Sequence, residues 1–328
     1  MEKTQERLTV TRLQGELERG LRRLGLTGRG ILAAASGGVD STVLLHALAA
    51  AAPRLALRLE VATVDHGLCP ESRAWADAVE RSAASLSVRC HRVAVQLDPA
   101  SSGLEAVARD ARYVVLERVR RQAGLDVVAT AHTASDQAET LLMRLARGAA
   151  LGGAGSILEE RGDHVVRPLL FATRVEVEAW ARALELSWVN DPMNEDPSLL
   201  RARIRREALP ALSAAVGFDA QPALARFARL AEEDDRLLTL EARRALERCG
   251  LVGGGLDRLA VQALAGPVRR RVVALLLSSA GLPVDALAIE EALRAVAEGG
   301  TATLPKDQLL SCANDQVRLE PAPPRRAS

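Results

Sequence analysis

At 328 residues the chain is long enough for about two domains, and its composition, 48% hydrophobic and 26% charged, is that of a globular protein able to bury a full core. Only 2% of the residues are aromatic, so a nucleic-acid surface built on many stacking rings is excluded. The formal net charge of +1 excludes strong global attraction to polyanions while leaving local patches open.

The opening residues, MEKTQERLTV, are charged and lack the apolar segment of a signal peptide. No apolar run reaches the length of a membrane span, so a cytoplasmic protein is expected. Cys69, Cys90, Cys249 and Cys312 are scattered without a C-x-x-C pair, which favours reduced thiols over a disulfide frame. His66 and Cys69 have no second pair at ligand spacing to complete a metal site. Lys3 and Lys306 are the only lysines, so nearly all positive charge is arginine.

From Gly30 the chain alternates strands and helices. GILAAA reads as a buried strand, and Asp40 to Ala50 places Val43, Leu44, Ala47 and Leu48 on a helical face. LALRLEVATV predicts a second strand, Glu71 to Leu86 a helix, and VRCHRVAV alternates at period two. Leu104 to Gln122 carries Leu104, Val107, Ala108, Ala111, Val114, Val115 and Val119 along one stripe, with Gly124 at the helix C-cap position. LDVVAT closes the series. This order predicts an α/β fold, a doubly wound, mostly parallel sheet covered on both faces.

After Asp163, HVVRPLL predicts one more strand and Arg174 to Leu184 a helix. The loop NDPMNEDPS leads into a basic helix, LLRARIRREAL, closed by Pro210. From Gln221 helical patterns dominate, ending in a strand pair of TATLP with QVRLEP. The expected organisation is an α/β domain over residues 1–215, a smaller, mainly helical domain over 216–320, and a disordered tail over 321–328.

The segment SGGVDS, Ser36 to Ser41, stands between the first strand and its helix. In a parallel sheet ligands collect at the carboxyl ends of strands. Gly37 and Gly38 let the main chain approach a ligand closely, the helix start favours bound phosphate, and Ser36 and Ser41 add hydroxyl donors. A carboxylate at Asp40 repels phosphate unless a cation intervenes, so it reads both as a helix N-cap and as a Mg²⁺ ligand or substrate anchor. The G-K-[ST] ending of a Walker A motif is absent, and with it the P-loop lysine.

SGGVDS after a strand resembles the PP-loop of the N-type ATP pyrophosphatases, which cleave ATP between its α and β phosphates. Taken in order, VDHGL, ARDARYVVL, AHTASDQAETLLMRLARG, RPLL and NDPMNED…RARIRREALP narrow the resemblance to the tRNA(Ile)-lysidine synthetases across about Gly30 to Pro210. The later helical part resembles that family only loosely. The resemblance implies a Rossmann-like fold and a ligase using ATP and Mg²⁺. It implies that the wobble cytidine of the isoleucine tRNA with anticodon CAU is adenylated at its 2-position oxygen. The amine of free L-lysine then displaces AMP.

By the same resemblance Ser36, Gly37, Gly38, Val39, Asp40, Ser41, Asp65 and His66 hold the nucleotide. Asp40, Arg112, His132, Asp136 and Glu139 are the catalytic candidates, with Asp40 and Asp136 as candidate Mg²⁺ ligands. Helix capping and ordinary first-turn placement explain Asp136 and Glu139 about as well when each is taken alone. A solvated helix face explains Arg112, and buried pairing explains Asp65 and His66. Arg201, Arg203, Arg205 and Arg206 make a dense basic helix that suits tRNA phosphates, against the plainer reading of a solvated surface. Arg205 reaches the active site in a second reading of the same run. Trp180 and Trp188 read as core.

The chain departs from the family pattern at Cys69, usually Arg, at Ser135, usually Asp, at Ala202, usually Asn, and at Ala150 and Ser156, usually Gly. A tRNA thiolase of the same superfamily is the nearest alternative, and isolated cysteines argue against it. A catalytically inactive tRNA-binding relative is the other, and intact SGGVDS and DQAET argue against that. The sequence sets no oligomeric state.

Overall fold

In a computed structural model of the protein, the described residues are 2–65, 67, 71–95, 104–148, 157–190, 199–251 and 254–322. His66, Cys69, Ala150, Ser156, most of the NDPMNEDPS loop and the tail beyond residue 322 therefore lie outside them. The chain divides into two compact units, Met1–Arg229 and Leu230–Ser328.

The first unit is built on a sheet with strand order β3-β2-β1-β4-β6-β5. Its strands are β1 (Gly30–Ala34), β2 (Arg58–Asp65), β3 (Arg89–Ala94), β4 (Val127–Ala129), β5 (Glu160–Arg161) and β6 (Val165–Val166). All pairs are parallel except β5 with β6. Ile31 in the central strand pairs with Leu59 on one side and Val127 on the other. Its neighbours Leu32 and Ala33 are buried too, because helices cover both faces.

One face packs on α1 (Glu2–Arg23), α2 (Val39–Leu55), α3 (Ser72–Ser85) and α6 (Arg174–Ala183), sharing a core of Leu13, Leu17, Leu44, Leu48, Val79 and Trp180. The other packs on α4 (Leu104–Gln122) through Val115, Leu116 and Val119. The doubly wound expectation holds. Strand order reverses at β1, so the loops after β1 and β4 open side by side at the carboxyl edge, where such sheets bind ligands. The helix α5 (Ala134–Ala146) follows β4.

Several expectations change in detail. Helix α1 went unforeseen, although Leu13, Leu17 and Leu21 recur every fourth residue and are fully buried. Helix α2 runs on to Leu55, and Ala56 turns out of it with a left-handed φ of 50°, so the second strand starts later, at Arg58. On α4 the inward residue is Leu116, whereas Val114 is 71% exposed, being 200° around the helix from it. HVVRPLL supplies only a two-residue strand, and its Arg167 to Leu170 portion turns away.

The basic helix is not closed by Pro210. After α7 (Leu200–Arg203) comes a π-helical turn, Ile204–Ala208, and the helix continues through Pro210 as α8 (Leu209–Val216). The Leu209 amide donates to the Ile204 carbonyl five residues back. That wider turn accommodates a ring that lacks an N–H and would crowd an ordinary helix.

In the second unit, α9 (Gln221–Cys249, starting before the division), α10 (Arg258–Ala263), α11 (Gly266–Ser279) and α12 (Ala286–Glu298) are joined by a small antiparallel sheet. Its order is β7-β10-β9-β8, with β7 (Leu256–Asp257), β8 (Thr301–Leu304), β9 (Gln308–Ser311) and β10 (Gln316–Pro321). TATLP and QVRLEP are thus not partners; each pairs with the intervening β9, which the sequence reading missed. Val272, Leu277, Ala292, Val296, Leu310 and Val317 form the core of this unit.

Candidate active site at the carboxyl edge of the sheet

The SGGVDS segment forms the turn from β1 into α2. Gly37 has φ of +87°, and a Cβ there would lie 3.0 Å from Val189 Cγ2, so only glycine fits. The Gly37 carbonyl accepts from the Val189 amide at 2.9 Å and from the Thr42 hydroxyl at 3.3 Å. Ser41 Oγ accepts from the Ser36 amide at 3.1 Å and donates to the Gly38 carbonyl at 3.0 Å. Side chains thus pin the loop from within. The first amides of α2, from Val39 onward, have no acceptor inside their own helix and face the edge of the sheet.

Asp40 sits in the first turn of α2, but the N-cap position falls to Gly38 and no side chain caps the helix. The N-cap reading of Asp40 is therefore replaced. Its Oδ1 is buried without a hydrogen-bond partner, and its Oδ2 lies 3.6 Å from Arg174 Nη1. Burial pushes its pKa up to about 6; Arg174 and Arg205 oppose this, while Asp136 and Glu178 reinforce it. A buried carboxylate oxygen without a partner, beside the loop amides, is available to ligate a cation. Among the described residues no three His, Cys, Asp or Glu side chains cluster as a ready metal site. That donor set fits Mg²⁺, which binds through one or two carboxylates, substrate phosphates and retained waters.

The second wall follows β4. Thr133 caps α5, accepting from the Asp136 amide, while Asp136 Oδ2 accepts from the Thr133 amide at 2.8 Å and hydroxyl at 2.9 Å. The other oxygen, Oδ1, accepts from Arg201 Nη2 at 2.6 Å. Glu139, 1% exposed, takes Arg201 Nε at 2.6 Å and both Nε and Nη2 of Arg205, at 2.5 and 3.0 Å. Burial alone would raise the Asp136 pKa, but Arg201, His132 and the Thr133 bonds bring it below the usual aspartate value. Asp136 is thus the capping-box residue that ordinary helix capping expects, and the same carboxylate pairs with Arg201.

His132 is held at about pKa 4, first by burial and then by the charges of Arg167, Arg109 and Arg201, with Asp136 opposing. It is therefore neutral at pH 7, its Nδ1 3.0 Å from Thr130 Oγ1. Asp40, Asp136 and His132 fall within one electrostatic cluster. Asp65 ends β2, with its carboxylate stabilised by the Ser72 hydroxyl and by the Gly67 amide at 2.9 Å. Arg112 lies on the exposed face of α4, and it is Arg109, one turn earlier, whose charge reaches His132.

The four arginines of the basic helix do not share one face. Arg201 and Arg205 turn inward onto the acids, whereas Arg203 and Arg206 are exposed. In this structure Arg201 and Arg205 thus pair with Asp136 and Glu139, the arrangement that the second reading of Arg205 expects. Arg174 and Arg167 escaped the sequence reading. Arg167 is 2% exposed and donates to the Leu158 carbonyl, with Nε unpartnered. Its place in RPLL was the available signal.

A profile described as PP-loop domain matches residues 9–212. The tRNA(Ile)-lysidine synthase of Thermobifida fusca is 37% identical over 282 residues, 86% of each chain. That of Salinispora tropica is 42% identical over 250 residues, 74% of each. The chain belongs to the tRNA(Ile)-lysidine synthase family. Among solved structures, the U34-tRNA thiolase NcsA of Methanococcus maripaludis, with its [4Fe-4S] cluster, superposes with a TM-score of 0.60 at 20% identity. It covers 69% of this chain and 80% of its own, a likeness of fold. In this family member the described cysteines, Cys90, Cys249 and Cys312, are free thiols, Cys90 on β3 and the other two in the core that includes β9.

Two departures from the family pattern gain a local account. Ser135 Oγ accepts from the Arg174 amide at 3.0 Å, tying the start of α5 to the start of α6. Ala202 is 4% exposed, a position with little room for a longer polar side chain.

Proposed function

We propose that this protein is a tRNA-modifying ligase that adenylates the wobble cytidine of tRNA(Ile) with anticodon CAU and joins free L-lysine to its 2-position, forming lysidine and releasing AMP and pyrophosphate. Family membership supports the reaction class, and one structural observation supports the residue roles. The orphaned carboxylate of Asp40, the acids of α5 and the neutral His132 meet beside the loop amides.

In this reading Ser36 to Ser41 cradle the ATP phosphates, and Asp65 and His66 line the nucleoside side. Asp40 is the ligand for Mg²⁺, which when bound disperses phosphate charge during adenylation. Asp136, whose charge is felt at Asp40, is the second candidate ligand. Its Arg201 partner makes it equally able to receive the lysine ammonium by exchange. Glu139, buried under two arginines, fixes that arrangement. His132, neutral and desolvated, donates or accepts one hydrogen bond at the cytidine without adding charge. Arg112 stays a catalytic candidate facing substrate or phosphate, the exposed Arg203 and Arg206 are assigned to tRNA phosphate, and residues from 216 onward to further tRNA contact. We place the protein in the cytoplasm, where tRNA, ATP and lysine coexist.

The test is mass spectrometry of nucleosides from tRNA(Ile) of anticodon CAU after incubation with protein, ATP, Mg²⁺ and isotopically labelled lysine. Labelled lysidine at the wobble position is the expected product. AMP release that requires tRNA but yields no lysidine would reject lysine as nucleophile and keep the ATP chemistry.

A further inference from the structure

We propose that Arg174 is the cation that holds the β and γ phosphates of ATP and the departing pyrophosphate, with Ser135 as its positioning residue. The proposal rests on reading the site as one that splits ATP between its α and β phosphates.

The need for such a cation comes from the sequence. The loop lacks a P-loop lysine, and the only lysines are Lys3 and Lys306. Helix-terminal amides supply partial charges, and one metal ion supplies two more. A leaving pyrophosphate still gains charge as the bond breaks. In that step the cytidine 2-oxygen forms a bond to the α phosphorus. The bond from the α phosphorus to the bridging oxygen breaks, and its electron pair leaves on pyrophosphate. A planar guanidinium matches two of those oxygens at once.

Arg174 is built to stand there. It is the first residue of α6, whose capping box uses Thr173 and Glu176. Its own amide is held by Ser135 Oγ at 3.0 Å, and the Ala134 amide donates to the Ala172 carbonyl at 2.8 Å. Both helix starts are thereby stitched together, so the backbone of Arg174 is fixed relative to the α5 acids. The side chain, 35% exposed, reaches back to the PP-loop. Its Nε is 3.3 Å from Glu178 Oε1, and its Nη1 is 3.6 Å from Asp40 Oδ2, beyond hydrogen-bond range.

The contrast with the neighbouring arginines decides the assignment. Arg201 and Arg205 are committed to Asp136 and Glu139 at 2.5 to 2.6 Å. A structural ion pair between Arg174 and Asp40 would close in the same way, and Asp40 Oδ1 would not be left buried without a partner. The open spacing leaves Asp40 able to hold a metal ion and Arg174 able to hold phosphate oxygens.

Binding of Mg²⁺-pyrophosphate and of AMP to the full-length protein, measured by calorimetry without tRNA, tests the assignment. In Arg174→Gln, pyrophosphate affinity is expected to fall about tenfold or more, the scale of a lost charge-assisted hydrogen bond, while AMP affinity stays within about twofold. Arg174→Lys should fall between the two, since it keeps charge but loses the fork. Ser135→Ala should weaken pyrophosphate alone by about threefold, with recovery in Ser135→Thr. Pyrophosphate and AMP affinities falling together would show a merely structural tether and overturn the proposal, as would no change in either. Lysidine formation with unchanged pyrophosphate binding in Arg174→Gln would reject Arg174 and keep the ligase reading. Arginine-dependent pyrophosphate binding in a protein that makes no lysidine would do the reverse.

Discussion

At Asp40 stability and chemistry pull in opposite directions. Its folded pKa of about 6 lies above the ordinary value of 3.8, so the folded protein binds the proton more tightly than the unfolded chain. Its contribution to stability is complete below about pH 4 and is lost as pH rises through 6, a cost of about 3 kcal/mol at pH 7. Asp40→Asn removes that cost. In chelator and without ATP, the variant is expected to unfold at higher urea than the parent at pH 7.5, and the difference should shrink toward pH 4. Adenylation should be lost at both. Equal urea midpoints at pH 7.5 would mean that the carboxylate carries no strain. Glu139 is the opposite case, since its buried charge answers two half-buried guanidinium groups. Glu139→Gln leaves Arg205 without its main partner and Arg201 with Asp136 alone, and is expected to cost about 2 to 3 kcal/mol in chemical denaturation. A loss below about 1 kcal/mol would place those arginines in contact with solvent and not with the acid.

Among the elements, the turn between β1 and α2 is the most constrained. Gly37→Ala puts a Cβ at left-handed φ and 3.0 Å from Val189 Cγ2, expected to destabilise by about 1 to 2 kcal/mol. The added thermal stability conferred by ATP should shrink as well, because the amides of the cradle move. Full ATP stabilisation in that variant would show that the loop tolerates a different path. This turn was legible in the sequence because strand, glycines and helix are contiguous and each obeys a local rule. The central strands and α4 were legible for the same reason. Elements set by partners far along the chain were not. Strands β5 and β7 are two residues each, too short for any period, and β9 is recognisable only once β8 and β10 flank it. Pro210 reads as a helix end until a π turn is seen to absorb it. The pairing of Arg201 with Asp136 joins residues 65 apart in sequence, and the approach of Arg174 to Asp40 joins the starts of two helices from opposite ends of the unit's sequence. Composition and spacing contain no trace of either.

For the molecule as a whole, a net charge of +1 means that the chain has no general attraction for tRNA, so any salt-sensitive binding must come from particular arginines. The basic helix supplies candidates, but only part of it is directed outward. Arg203 and Arg206 are exposed, while Arg201 and Arg205 turn inward onto Asp136 and Glu139. Each phosphate contact removed should reduce the slope of log affinity against log salt by about 0.7 to 0.9. Arg203→Ala with Arg206→Ala is therefore expected to flatten the slope by about 1.5 and weaken binding at low salt, with urea stability nearly unchanged. Arg201→Ala should do the reverse: unfold more easily and lose ligase activity, because Asp136 and Glu139 lose a shared partner, while the slope stays that of the parent. Filter binding of tRNA(Ile) across a salt series, beside urea titrations, separates the two classes. A slope unchanged in the double variant would assign Arg203 and Arg206 to solvated surface and send the search for the tRNA footprint to the arginines of α4 and α11.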